Sequence, residues 1–219
     1  MQLLLVRHAQ SANNALPTHL RVHDPGLTET GSLQAEHLAD WLQTLPLTTL
    51  WCSPFRRSLD TTEAIRRRLS LTPLVHSELF ELGGCYSGYE AIGKKGEAGL
   101  GRSELLSDYP AYELDSAITD LGWWRNRPFE SEAEGAERAR RVTLWFQTEL
   151  QQLSGLAAAI IHADFKRLLI QQMLGPNLPV ERLGGILNAS VTAVRWNGCV
   201  WRLDFFNSIS HLPYDLHTE

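Results

Sequence analysis

Leu3-Leu4-Leu5-Val6-Arg7-His8-Ala9-Gln10-Ser11-Ala12-Asn13-Asn14 is an apolar run that breaks off in an Arg-His pair. Four consecutive apolar residues predict a short interior strand, and ligands bind at the carboxyl ends of strands in an α/β sheet. His8 is therefore expected at that edge, beside the permanent charge of Arg7. Far along the chain, Leu156-Ala157-Ala158-Ala159-Ile160-Ile161 ends in His162 and repeats the layout. A continuous apolar strand of this kind is typical of a sheet covered on both faces.

Between these runs the signals alternate. Thr28 is an N-cap for a helix reaching about Leu45, with Gly31, Ala35, Leu38, Leu42 and Leu45 on one face and Pro46 as its stop. Leu47 to Cys52 is a second strand, and Ser53-Pro54 has the form of a cap followed by proline at the first helical position. The helix continues through Phe55, Arg57, Thr62, Ile65 and Leu69, and Thr72 to His76 is a third strand. A long helix is expected from Phe129 to about Leu153, with Glu130, Glu132 and Glu134 early and Arg138, Arg140 and Arg141 later. Another runs from about Asp164 to Leu174 and is terminated by Gly175-Pro176. Asn197-Gly198, between Ser190–Trp196 and Val200–Phe206, signals a two-residue hairpin. The order predicts a three-layer α/β/α fold with a mostly parallel central sheet and a C-terminal hairpin, all within one domain, 1–219.

Seven of the sixteen glycines lie between Gly83 and Gly101, so regular structure is not expected there. With the following Arg102 to Arg127 this stretch is expected to form a cap insertion, 83–128. It carries Tyr86, Tyr89, Trp123, Trp124, Lys94, Lys95 and several arginines, a mixture suited to covering an anionic ligand or to packing on the core.

Composition narrows the partners. The net charge of -5 and the absence of a long basic run argue against nucleic acid. Arg66-Arg67-Arg68 is expected on a solvated helix face. No apolar run approaches the ~20 residues that cross a bilayer, and the first residues lack a leader's pattern, so a cytoplasmic protein without a membrane partner is expected. Cys52, Cys85 and Cys199 share no metal-type spacing and are expected to be reduced packing residues. The oligomeric state is left open by the sequence.

Three strand ends thus present polar groups: Arg7-His8, Ser53 with Arg56 or Arg57 one turn on, and His162. Two histidines and two arginines on one sheet edge make a cationic pocket that matches a phosphate. A neutral imidazole nitrogen is also a competent nucleophile toward phosphorus.

At these residues the chain resembles the histidine phosphatase superfamily, the phosphoglycerate-mutase-like fold, over most of its length. Arg7, His8, Ser11 and Asn14 match the family's Arg-His-Gly signature, with Ala9 in place of glycine. Leu27, Thr28, Gly31, Gln34 and Ala35 match Leu-Thr-x-x-Gly-x-x-Gln-Ala. Ser53, Pro54, Arg57 and Thr61 match Ser-Pro-x-x-Arg-x-x-x-Thr and select Arg57 over Arg56, while Asp60 stands where Gln is common. Leu79 to Gly84 is similar to Leu-x-Glu-x-x-Gly, His162 is followed by Ala163-Asp164 where glycine is usual, and Asn188-Ala189-Ser190-Val191-Thr192 is similar to the late strand entry.

The resemblance implies a metal-independent phosphomonoester hydrolase acting on a small phosphorylated substrate without a cofactor. His8 would attack the phosphoryl group, Arg7, Arg57 and His162 would hold its equatorial oxygens, Asn14 would add a hydrogen bond, and Glu81 would donate the proton. Glu78 is the nearby competitor for that last role, and Asp164 is expected to cap the helix after His162. A phosphoglycerate-type mutase is the alternative within the family, disfavoured because Glu81-Leu82-Gly83-Gly84-Cys85-Tyr86 lacks the arginine of Glu-Arg-x-Tyr-Gly. The alternative outside enzymes is a phospholigand-binding protein with a relaxed site at Ala9 and Ala163. His19, His23, His76 and His211 carry no motif, although the tail bearing His211 is long enough to fold over the site.

Overall fold

A computed structural model describes residues 1–88, 93–175, 177–179 and 182–219. Tyr89 of the expected cap and Pro176 of the expected helix stop lie outside the described residues. The strands β1 (Gln2–Arg7), β2 (Leu47–Cys52), β3 (Leu74–Val75), β6 (Glu113–Leu114), β7 (Leu156–Ile161), β8 (Val191–Trp196) and β9 (Trp201–Ser208) form one sheet in the order β6-β3-β2-β7-β1-β8-β9. Pairing is parallel from β6 to β1 and antiparallel at β8 and β9, the C-terminal hairpin. The small ribbon β4 (Tyr86–Ser87) and β5 (Lys95–Gly96) stands apart.

A single helical turn, α1 (Ala12–Ala15), lies in the loop after β1. Alternation along the strands sends side chains to two cores. Leu4, Val6, Ala158 and Ile160 face α2 (Glu29–Leu42) and α3 (Arg56–Leu69), with Leu38, Leu42, Leu59 and Ile65. Leu3, Leu5, Ala157, Ala159 and Ile161 pack with Val142 and Phe146 of α5 (Glu132–Gln152) and with Phe165 and Leu169 of α6 (Ala163–Leu174). Strands buried on both faces need the continuous apolar runs seen in the sequence. Truncating one of these leucines to alanine costs about 2–5 kcal/mol.

Several local expectations are corrected. Helix α3 begins at Arg56 with Phe55 in the cap position, so Ser53 is not the helix cap, although its Oγ accepts the Phe55 N–H at 3.3 Å. The same hydroxyl lies against His162. Only Leu74 and Val75 of the expected third strand are paired. His162, not Asp164, occupies the N-cap position of α6. The segment between Gly83 and Arg127 contributes α4 (Arg102–Asp108) and gives β6 to the edge of the main sheet. Cys52 and Cys85 are buried, whereas Cys199 is exposed beside the hairpin turn and packs on no core. Arg66, Arg67 and Arg68 lie along the outer face of α3 and pair with Glu63, Glu36 and Asp40. Among the described residues no helix is long and apolar enough to cross a membrane.

Candidate active site

Parallel pairing aligns the strand ends. Arg7 stands opposite Ile161 and Cys52 opposite Ile160, so His8, His162 and Ser53 leave the sheet side by side. The His8 N–H donates to the Ile161 carbonyl at 2.9 Å, and the Ser53 N–H to the Ile160 carbonyl at 3.0 Å. The two imidazole rings meet edge-on, with centroids 5.0 Å apart.

His8 is buried and oriented from both sides. Its Nδ1 lies 2.7 Å from the Ala9 carbonyl oxygen, which can only accept, so Nδ1 carries the proton. Nε2 then holds the lone pair, and Arg57 Nε–H donates to it at 3.1 Å. Burial, and then the charges of Arg57 and Arg7, hold His8 well below the usual imidazole range, in its neutral form. His162 is depressed in the same way by burial and then by Arg57, at the N-terminus of α6. Its Nε2 is 2.7 Å from Ser53 Oγ and 3.4 Å from Ser58 Oγ, while Nδ1 is buried without a partner.

Arg7 is anchored to the Ile186 carbonyl through Nη1, and its Nε is buried and unpartnered. Burial lowers its guanidinium to about 10, which leaves it charged at neutral pH. Arg57 folds over the Phe55 ring at 4.0 Å, and Phe55 touches His162 with centroids 5.1 Å apart. Among the described residues no cluster of three His, Cys, Asp or Glu side chains is arranged to hold a metal ion.

The motif residues around this pocket are mostly scaffolding. Thr61 Oγ1 accepts the Ala9 N–H at 3.0 Å and donates to the Arg57 carbonyl at 2.7 Å, tying the loop after β1 to α3. Gln34 accepts the Gln10 N–H at 2.8 Å and donates to the Leu216 carbonyl and to Thr218 in the tail. Gly31 lets α2 approach that loop, since a Cβ there would stand 2.0 Å from the Gln10 carbonyl oxygen. Asp60 accepts the Tyr109 hydroxyl at 2.7 Å and so links α3 to the segment after α4. Neither Ala9 nor Ala163 has a positive φ, so alanine in place of glycine strains neither backbone. Asn14 is taken up locally, its Oδ1 accepting from the Ser11 N–H and hydroxyl. His211 stacks on Trp41, and the tail braces Gln34 and Asn188.

Glu81 sits at the mouth. Its Oε1 accepts from the Leu82 N–H at 2.8 Å and the Phe165 N–H at 2.9 Å, and burial followed by the Asp164 carboxylate raises its pKa. Glu78 points elsewhere, to Arg141 at 2.6 Å. Two buried basic side chains are not legible as such in the sequence. Arg138 makes a bidentate pair with Glu130 and donates to the Glu78 and Phe80 carbonyls, fixing the loop that carries Glu81. Lys166, on the inner face of α6, donates to Ser190, whose carbonyl also receives the Arg7 N–H. Both sit in amphipathic helices among charged neighbours, so only an inward helical phase distinguishes them.

Comparison with known proteins identifies what the chain is similar to. The family model described as histidine phosphatase superfamily (branch 1) matches residues 3–209. Phosphoserine phosphatase 1 of Hydrogenobacter thermophilus is 28% identical over 200 residues, covering 89% of this chain and 86% of its own. Among solved structures, a mycobacterial glucosyl-3-phosphoglycerate phosphatase superposes with a TM-score of 0.64 at 23% identity, over 94% of this chain and 98% of its own. A phosphoserine phosphatase from Entamoeba histolytica, solved with 3-phosphoglyceric acid, gives 0.67 at 18% identity, over 97% and 99%. These two likenesses show the shared fold.

Proposed function

The chain belongs to the histidine phosphatase superfamily and is a phosphatase, and from this premise we propose that it hydrolyses small phosphomonoesters through a phosphohistidine on His8. The observation that carries the reading is the fixed tautomer of His8, with Nδ1–H on the Ala9 carbonyl and the Nε2 lone pair held toward Arg57. The Nε2–P bond forms as the P–O ester bond breaks in line. Arg57, Arg7 and His162 stabilise the charge on the equatorial oxygens, and phosphate oxygens would satisfy the buried Arg7 Nε and His162 Nδ1. Asn14 adds a hydrogen bond through its remaining amide.

Glu81, whose pKa is raised by burial and then by the Asp164 carboxylate, gives its proton to the leaving alkoxide. In the second half it takes a proton from the water that attacks phosphorus, releasing inorganic phosphate and restoring His8. Positioning and positive charge supply the rest of the rate, and no metal or cofactor takes part in these steps. The described residues of the 83–128 insertion act as the cap: Trp123 lies against Phe55 and Phe80, with centroids 4.7 and 5.5 Å away, and Phe55 in turn touches the His162 ring. The names of the relatives direct the substrate search toward phosphoserine and phosphoglycerate esters.

Purified protein treated with chelator is expected to release phosphate from an aryl phosphate and from phosphoserine. With labelled 3-phosphoglycerate, phosphate release is expected to outrun isomer interconversion. The opposite order would make the protein a mutase.

A further inference from the structure

A cavity of about 330 Å³ is lined in part by Phe80 and Trp123. Arg125, Arg127, Arg138 and Arg141 line it together with Glu78 and Glu130. His8, Arg57 and His162 take no part in its walls. Four guanidinium groups converge here on a chain whose net charge is -5.

Two of them are neutralised. Arg138 is paired with Glu130 at 2.6 Å and Arg141 with Glu78 at 2.6 Å. Arg125 and Arg127 make no ion pair among the described residues. Arg125 donates to the Ala117 carbonyl, and Arg127 lies over Trp124 at 3.9 Å with Nε on the Trp124 carbonyl. The lining therefore carries an excess of two positive charges.

The turn that presents them is costly. Arg125 and Asn126 are consecutive non-glycine residues at φ 57° and 54°; asparagine tolerates this left-handed region, so the strain falls on Arg125. Strain held by the surrounding packing is a mark of functional sites. Burial lowers Arg127, Glu130 and Glu78 oppose the shift, and the charges of Arg125 and Arg138 add to it, so these guanidinium groups repel one another. An anion bridging them would relieve that repulsion.

We propose that this cavity is a second anion site, separate from the phosphoryl pocket, that takes a small multiply charged anion of the carboxylate or phosphate kind. Guanidinium forks bind both groups bidentately, and the volume falls at the lower end of small-ligand pockets, which start at about 300 Å³.

Citrate is the probe, titrated into the intact protein by calorimetry at low ionic strength, with a parallel titration of Arg57→Ala, which weakens the phosphoryl pocket and leaves this cavity's lining unchanged, to assign the heat to this cavity. Wild type is expected to bind one citrate. Arg125→Ala combined with Arg127→Ala is expected to weaken binding at least about 10-fold, as loss of two charge-assisted contacts implies. Because Arg127 packs on Trp124, Arg125→Ala alone provides a milder variant, expected to lose several-fold while keeping the wild-type melting temperature. Equal affinity in wild type and the double variant, or no citrate bound by wild type, overturns the site. The readout is binding, so it stands or falls independently of the hydrolytic mechanism.

Discussion

Two strand ends in this molecule start from nearly the same apolar pattern and finish with different chemistry. β1 and β7 are adjacent and parallel, with buried apolar cores at residues 3–6 and 156–161, and each delivers a buried histidine to the same edge. After His8 the chain turns into an irregular loop, and the Ala9 carbonyl bends back to hold Nδ1. After His162 the chain enters α6 directly, and the ring is held from the other side by Ser53 of the β2 end. One imidazole thus has its lone pair aimed at an arginine and the other has a buried nitrogen left over. The segment after each strand, rather than the strand itself, divides a proposed nucleophile from a proposed charge stabiliser.

Unequal mutant effects would sharpen that contrast. His8→Ala is expected to lower kcat by at least about 10⁴-fold, the scale for losing a nucleophile, and His162→Ala by about 10²–10³-fold, the scale for losing one stabilising donor. Steady-state kinetics on an alkyl phosphate decide it, and equal losses would break the assignment. Glu81→Gln is expected to cost about 10²–10⁴-fold on an alkyl phosphate and far less on an aryl phosphate, whose leaving group needs little protonation. Since the proton-bearing form of Glu81 does the work and its pKa is raised, wild-type kcat on alkyl esters should fall as pH rises through that value. The alkaline limb should vanish in the variant.

Much of this arrangement is visible in the sequence because its elements are long and strongly patterned. The apolar runs before His8 and His162 and the β-branched and aromatic run that ends at Cys52 require strands, and parallel crossovers require their ends to meet. Ser53 departs from its pattern: Ser-Pro is a helix-start signal, and nothing local reveals that the hydroxyl is claimed by a histidine from the end of β7. β6 is silent in the sequence because Glu113-Leu114 has no apolar run and owes its pairing to β3. Arg138 resembles Arg140 and Arg141 in sequence. The structure separates them, leaving Arg140 and Arg141 exposed and Arg138 inside against Phe80 and Phe165.

Smaller effects probe the loop that makes His8 different. Gly31→Ala places a methyl against the Gln10 carbonyl, so α2 must retreat from the loop after β1. A loss of about 1–3 kcal/mol is expected, read as a fall in Tm of about 2–4 °C per kcal/mol, together with reduced kcat. An equally active and stable variant would show that the α2 brace is dispensable. Asp24 lies near Arg57 with one oxygen on the Arg56 N–H and the other buried and unpaired, and burial raises it to about 6. The folded state then holds this proton more tightly than the unfolded chain, so its contribution to stability declines as pH rises from about 4 to about 6. Asp24→Asn should flatten that part of the stability profile in denaturant titrations. An unchanged profile would place the titration elsewhere.

The contrast between the two histidines is tested most directly by locating the covalent phosphate. Protein quenched in base during turnover of a phosphomonoester, which preserves acid-labile phosphohistidine, is digested and mapped by mass spectrometry. The predicted result is a single phosphoryl group on His8, at Nε2, absent from His8→Ala and present in His162→Ala. A phosphoryl group on His162, or sustained turnover with neither histidine labelled, would contradict the account.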